Sequence, residues 1–275
     1  NICYAAEPRG MYPLFYSKNI AGRIKLFRRL RGMSQEDLSR ESDINLSMIK
    51  KYEIGARIPK IDRLEVIANA LGISLCIAGD LVNGYVRHRH YRHVSYGNTL
   101  DFLNECAMID PTYLSYGNHE CAAPAVQLKD IEKTNIMILD NRYIELTDSI
   151  YLGGLSAAAY SYQTSEYIWL SKFQKSDGYK ILLSHRPEYF MLQDPKLAYR
   201  SIDLVFSGHA HGGQIRVGGQ GLYAPGQGFF PKYTAGIHTG SYGSMVISRG
   251  LSNTTWIPRI NNCPEIVYVC IKSVK

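Results

Sequence analysis

Near residue 73 the spacing of apolar residues changes from one period to another, and this limits the chain to two regions of different fold class. From about Ile20 to Ile73 the apolar positions fall three or four apart: Ile24, Phe27 and Leu30, then Leu38, then Ile49 and Tyr52, then Leu64, Ile67 and Leu71. That is the one-sided stripe of amphipathic helices. Beyond it come short, nearly continuous apolar runs rich in branched residues: Leu75-Cys-Ile-Ala, Tyr179-Lys-Ile-Leu-Leu-Ser, Ile202-Asp-Leu-Val-Phe-Ser and Glu265-Ile-Val-Tyr-Val-Cys-Ile-Lys. Such runs predict strands buried on both faces, with helices at about Leu100–Cys106 and Glu166–Gln174 alternating between them. The expected architecture is a small all-α domain over 20–73, preceded by an extension over 1–19 and followed over 74–275 by an α/β layered sandwich of mixed sheets flanked by helices.

The first region is punctuated as four short helices. Ser34 with Asp37 forms a capping box that starts the second, and Asp43-Ile44-Asn45 makes a tight turn. A third helix runs from Leu46 to about Glu53 and is ended by Gly55, with Pro59 beyond. Two helices joined by so short a turn can set the second into a DNA major groove. The segment from Met33 to Pro59 closely resembles phage-repressor (Cro/C1-type) helix-turn-helix domains. The resemblance implies that Gln35, Ser47, Lys50 and Lys51 face DNA: Gln35 anchoring a phosphate, Ser47 reaching a base edge, the lysines easing approach to the backbone. It also implies a homodimer reading two half-sites, although no dimer surface is legible.

Four motifs follow in the second region, each at the end of an expected strand: Ala78-Gly-Asp80-Leu, Tyr116-Gly-Asn118-His119-Glu120, Leu183-Ser-His185-Arg-Pro and Ser207-Gly-His209-Ala-His211-Gly-Gly. Strand ends that open into one crevice are where α/β folds assemble sites. One carboxylate, one amide oxygen and three imidazoles are donors suited to divalent transition metals. With the tail Gly221-Leu-Tyr-Ala-Pro-Gly-Gln-Gly-Phe-Phe-Pro-Lys-Tyr and the later Ser248-Arg-Gly-Leu-Ser-Asn, these motifs resemble the calcineurin-like metallophosphoesterases of the bacterial branch, over roughly Leu75 to Lys275.

The resemblance implies hydrolysis of phosphomonoesters or phosphodiesters with two divalent metals of the Mn, Fe or Zn type. Asp80 would bridge them, Asn118, His185 and His209 would complete one site, and His211 would belong to the other. His119 would contact the scissile phosphate or protonate the leaving group. Glu120 either orients His119 or is solvated, and Arg186 either touches substrate phosphate or is an ordinary exposed arginine.

The family normally opens with a strand ending in Asp-x-His, and here the helix-turn-helix region stands in that place. The nearest imitation, Ser42-Asp43-Ile44-Asn45, has Asn for His and already forms a turn. The first strand of the sandwich is therefore expected to be missing and one metal to be short of ligands. That leaves open a mononuclear or weakened enzyme, a recombined reading frame, and a DNA-binding regulator whose phosphatase-like domain has no turnover. The run Arg87-His-Arg-His-Tyr-Arg-His93 either supplies substitute imidazoles or is a solvated loop.

Composition adds little beyond this. A net charge of +7 fits a polyanionic partner without naming it. The 6 cysteines contain no Cys-x-x-Cys pair and read as reduced, mostly buried thiols. No apolar run reaches the roughly 18 residues of a membrane span and the start is unlike a signal peptide, so a cytoplasmic protein is expected.

Overall fold

The computed structural model describes residues 2–6, 20–72, 74–82, 97–157, 164–191, 201–251 and 257–271. Strand β1 (Ile2–Ala6) is followed by helices α1 (Ile20–Leu30), α2 (Gln35–Ser42), α3 (Leu46–Glu53) and α4 (Ile61–Leu71). The expected capping box is present: Ser34 Oγ accepts from Asp37 N at 2.9 Å, and Asp37 Oδ2 accepts from Ser34 N at 2.9 Å. Asp43 ends α2 in the left-handed conformation and Asn45 caps α3 through Ser47 N, which accounts for the tight turn between them. The periodic residues Ile24, Leu38, Ile49, Tyr52, Ile67 and Leu71 close the core of this bundle.

After it the chain alternates strands and helices: β2 (Leu75–Ile77), α5 (Gly97–Ile109), β3 (Thr112–Leu114), α6 (Asn118–Cys121), α7 (Ala125–Glu132) and β4 (Met137–Ile138). A hairpin of β5 (Arg142–Thr147) and β6 (Ile150–Leu155) comes next, then α8 (Thr164–Gln174), β7 (Tyr179–Ser184), α9 (Pro187–Met191) and β8 (Leu204–Ser207). A 3-10 turn at His211–Gly213 leads into two small hairpins, β9 (Arg216–Val217) with β10 (Gln220–Gly221) and β11 (Tyr223–Ala224) with β12 (Gly228–Phe229). The chain ends in β13 (Gly236–Thr239), β14 (Ser244–Ile247) and β15 (Val267–Ile271).

Two sheets form the sandwich. One has the order β2-β3-β4, all parallel; the other has the order β13-β14-β8-β7-β6-β5, parallel in its middle and antiparallel at both ends. Alternation along the central strands explains the layering. Ile181, Leu183, Leu204 and Val246 point into a core shared with Tyr113 of β3, while Leu182, Val205, Met245 and Ile247 point the other way, toward Leu170 and Phe173 of α8 and Phe190 of α9. Helices α5 and α7 cover the small sheet through Leu103, Leu114 and Ile131.

Three sequence readings need adjustment. The extension contributes β1, which pairs antiparallel with β15 in the register Ile2↔Ile271 to Ala6↔Val267. Strand β2 is not buried on both faces, since none of its three residues is fully buried, and among the described residues it lies at the edge of its sheet. Of the four cysteines whose side chains are described, only Cys106 is buried. The Arg87–His93 run lies outside the described residues.

Candidate metal centre

Asp80 follows β2, Asn118 and His119 follow β3, His185 follows β7, and His209 with His211 follows β8. Each sheet of the sandwich therefore contributes two loops, and the loops meet where the parallel strands end. Gly79 and Gly117 allow that meeting: a Cβ on Gly79 would overlap the Gly117 backbone, and one on Gly117 would overlap the Asp80 carboxylate. Asp80 itself sits at φ 61, the left-handed region that Asp and Asn tolerate better than most residues with a side chain.

Asp80, His185 and His209 converge. Asp80 Oδ2 lies 2.9 Å from His185 Nε2, and His185 Nε2 lies 3.1 Å from His209 Nδ1. The three donor atoms fall within 4.8 Å of one another, the spacing of ligands around one cation. The outer nitrogen of His185, Nδ1, is 2.5 Å from the Ala78 carbonyl and donates to it, which leaves Nε2 bare toward the cluster. Two bare ring nitrogens facing each other beside a carboxylate repel unless a cation or a proton stands between them, so these residues fit a divalent metal.

The surroundings set the three groups apart. Burial is the largest influence on His209 and, with the charges of His185 and Arg186, holds it neutral down to about 2, the form in which imidazole ligates. Burial opposes charge on Asp80 most, yet His185 and His119 outweigh it and lower its proton affinity below the ordinary carboxylate range. Burial likewise opposes charge on His185, and Asp80 overrides it, so its affinity for a proton is raised.

The remaining expected residues surround this cluster. His119 donates its backbone N–H to Asp80 Oδ1 at 3.0 Å, and its Nε2 lies 3.9 Å from Asp80 Oδ2. Asn118 is buried at the start of α6. His211 is not one of the three converging groups; burial first and Arg259 second depress its ring to about 4, while the charge of Asp80 pulls the other way. Asp43 ends α2 in the helical bundle and takes no part.

Glu120 behaves differently from either sequence reading. It is fully buried, so it is not solvated, and among the described residues it accepts four backbone N–H bonds. Oε2 takes Asp80 N at 2.7 Å and Gly117 N at 2.8 Å, while Oε1 takes Leu81 N at 2.6 Å and Val82 N at 3.0 Å. One carboxylate thus fastens the loop of β2 to the loop of β3. Its position two residues after Asn118 was visible in the sequence, but nothing there distinguished an inward carboxylate from a solvated one.

In the bundle, Ser47, Lys50 and Lys51 are exposed on α3. Gln35 commits an amide hydrogen to Glu53 Oε2 at 2.8 Å. Glu53 is also paired with Arg28, through Nε at 2.5 Å and Nη2 at 2.9 Å, a buried two-pronged bond joining α1 to α3.

Comparison with known families agrees with both halves. The calcineurin-like phosphoesterase family matches residues 59–213 and the helix-turn-helix family matches residues 24–77. The chain belongs to the calcineurin-like phosphoesterase family and carries a helix-turn-helix domain in front of it. Relatives are an uncharacterized metallophosphoesterase of Campylobacter jejuni, 26% identical over 64% of this chain and 46% of its own length, and a putative metallophosphoesterase of Caenorhabditis elegans, 25% identical over 64% and 38%. An uncharacterized metallophosphoesterase of Aquifex aeolicus is 23% identical over 86% of this chain and 88% of its own. The chain thus spans less than half the length of the first two.

Proposed function

We propose that the larger domain hydrolyses phosphate esters, monoesters or diesters, with a divalent cation of the Mn, Fe or Zn type, and that the smaller domain binds duplex DNA in the compartment that holds it. The observation that carries the hydrolase reading is the convergence of Asp80 Oδ2, His185 Nε2 and His209 Nδ1 at 2.9 and 3.1 Å. Asp80, His185 and His209 would hold the cation, and Asn118 would complete their site. A cation bound there supplies a water of lowered pKa and neutralises charge on the phosphoryl oxygens.

The chain's own groups do the rest. His119, fixed by its backbone bond to Asp80, stands where it can give a proton to the leaving oxygen. Arg186, following His185, would meet substrate phosphate. Among the described residues His211 with Asp80 offers two donors to a second cation, so a single strongly held metal is the expected state. Ser47, Lys50 and Lys51, exposed on α3, are the groups that meet DNA, as a dimer in the manner of other two-half-site readers.

The test is hydrolysis of bis-p-nitrophenyl phosphate by the full chain with added Mn²⁺. Activity that His209→Ala abolishes is the expected result. No turnover with any of Mn²⁺, Fe²⁺ or Zn²⁺ would leave the alternative of a DNA-binding regulator with a non-catalytic phosphatase-like domain.

A further inference from the structure

The two histidines that converge on Asp80 present their inner nitrogens to the cluster, but their outer nitrogens are treated differently. His185 donates from Nδ1 to the Ala78 carbonyl. The outer nitrogen of His209, Nε2, is buried with no hydrogen-bond partner among the described residues. The carboxylate of Glu188, on α9, stands 3.9 Å from it.

Glu188 is only 8% exposed and, its own backbone N–H aside, neither of its oxygens has a hydrogen-bond partner among the described residues. Arg186 Nη1 approaches Oε1 no closer than 3.8 Å. The carboxylate is also walled in: Gly226, at φ +75 in the turn between β11 and β12, packs so near that a Cβ there would overlap it. A buried acceptor without a donor beside a buried donor without an acceptor costs free energy on both sides.

We infer that Glu188 is a positioning residue of the metal centre: it accepts the Nε2–H of His209, fixes the tautomer that leaves Nδ1 bare, and so completes for His209 what the Ala78 carbonyl does for His185. The inference rests on the metal reading of the site. Second partners of this kind hold ligand rings in place and raise their basicity, and their removal weakens metal binding about ten- to hundredfold.

The experiment is an Mn²⁺ titration of the full chain against a competing fluorescent chelator, for the parent, Glu188→Ala and Glu188→Gln, with the visible spectrum of the Co²⁺-loaded forms beside it. Glu188→Ala should bind about ten- to hundredfold more weakly and shift the Co²⁺ bands; Glu188→Gln, whose carbonyl can still accept, should fall between it and the parent. A folded Glu188→Ala that binds within about twofold of the parent, with an unmoved spectrum, overturns the inference while the metal site stands. Should Glu188→Ala fail to fold, Glu188→Leu, which keeps the bulk but offers no acceptor, takes its place, and the same outcome for it overturns the inference. A parent that binds no Mn²⁺ refutes the metal reading itself and this inference with it.

Discussion

Replacing Glu120 by Gln changes one atom and separates the fastening of the site loops from everything else in the fold. The carboxylate accepts from Leu81 and Val82 on one oxygen and from Asp80 and Gly117 on the other. A glutamine keeps one oxygen, so one pair of N–H groups retains its acceptor and the other pair faces an NH₂ donor. Each pair includes one fully buried bond, Val82 in one and Gly117 in the other, so neither orientation of the amide escapes stranding a buried donor. A stranded buried N–H costs about 1 to 3 kcal/mol, and its half-buried companion less, giving an expected loss of about 2 to 4 kcal/mol. Because the lost bonds run to the Asp80 loop, affinity for Mn²⁺ should fall together with stability. Urea unfolding of the metal-free chain measures the first and chelator competition the second. A loss below about 1 kcal/mol, with Mn²⁺ affinity unchanged, would show that the four bonds do not hold the loops together.

Two further outcomes are expected. Lys50→Ala with Lys51→Ala should weaken duplex binding across sequences and lower the slope of log affinity against log salt by about 2; parent and variant titrating alike would remove α3 from the DNA interface. Burial raises Asp110 to about 6, with Arg23 pulling the other way, so the folded state carries a penalty that is absent below about pH 4, grows as pH rises and is complete above about pH 6. Asp110→Asn should therefore stabilise the chain by up to about 2 kcal/mol above neutrality and by nearly nothing near pH 4; an equal effect at both pH values in thermal unfolding would refute the assignment.

The helical bundle was the most legible part, because its order is local. A three- or four-residue spacing, a Ser34–Asp37 cap and a left-handed stop are properties of neighbours in sequence, and Ile24, Leu38, Ile49, Tyr52, Ile67 and Leu71 all became core. The central strands β7 and β8 were legible for a related reason: a strand buried on both faces has a continuous apolar run. The hairpin of β5 and β6 escaped notice, since Gly153 and Gly154 interrupt its apolar signal. Those glycines answer to contacts far away in the chain: a Cβ on Gly154 would overlap the Leu139 carbonyl, and one on Gly153 would crowd the Phe173 ring. Likewise the ligand types could be read from Asp80, His185 and His209, but the burial of Glu120 and Glu188 could not, because it depends on which loops lie over them.

The exposure of β2 follows from the same departure that the sequence showed. An apolar run such as Leu75-Cys-Ile suits a strand with neighbours on both sides, yet β3 is its one partner among the described residues and Cys76 faces out. The chain before it is spent on the helical bundle, whose last helix also serves the sandwich: α4 buries Ile67 and Leu71 in the bundle and packs against both α2 and α5. The two family matches overlap across residues 59–77, the stretch that holds α4 and β2. Gly72 turns the chain in the left-handed conformation and β2 begins at Leu75, so no linker separates the two regions. Contacts continue around the junction, with the Phe27 ring of α1 5.2 Å from that of Tyr268 in β15. The boundary near residue 73 is thus a change of secondary structure within one packed assembly. With α4 packed on both sides and Phe27 against Tyr268, the exposed face of α3 and the Asp80, His185 and His209 cluster belong to that same assembly.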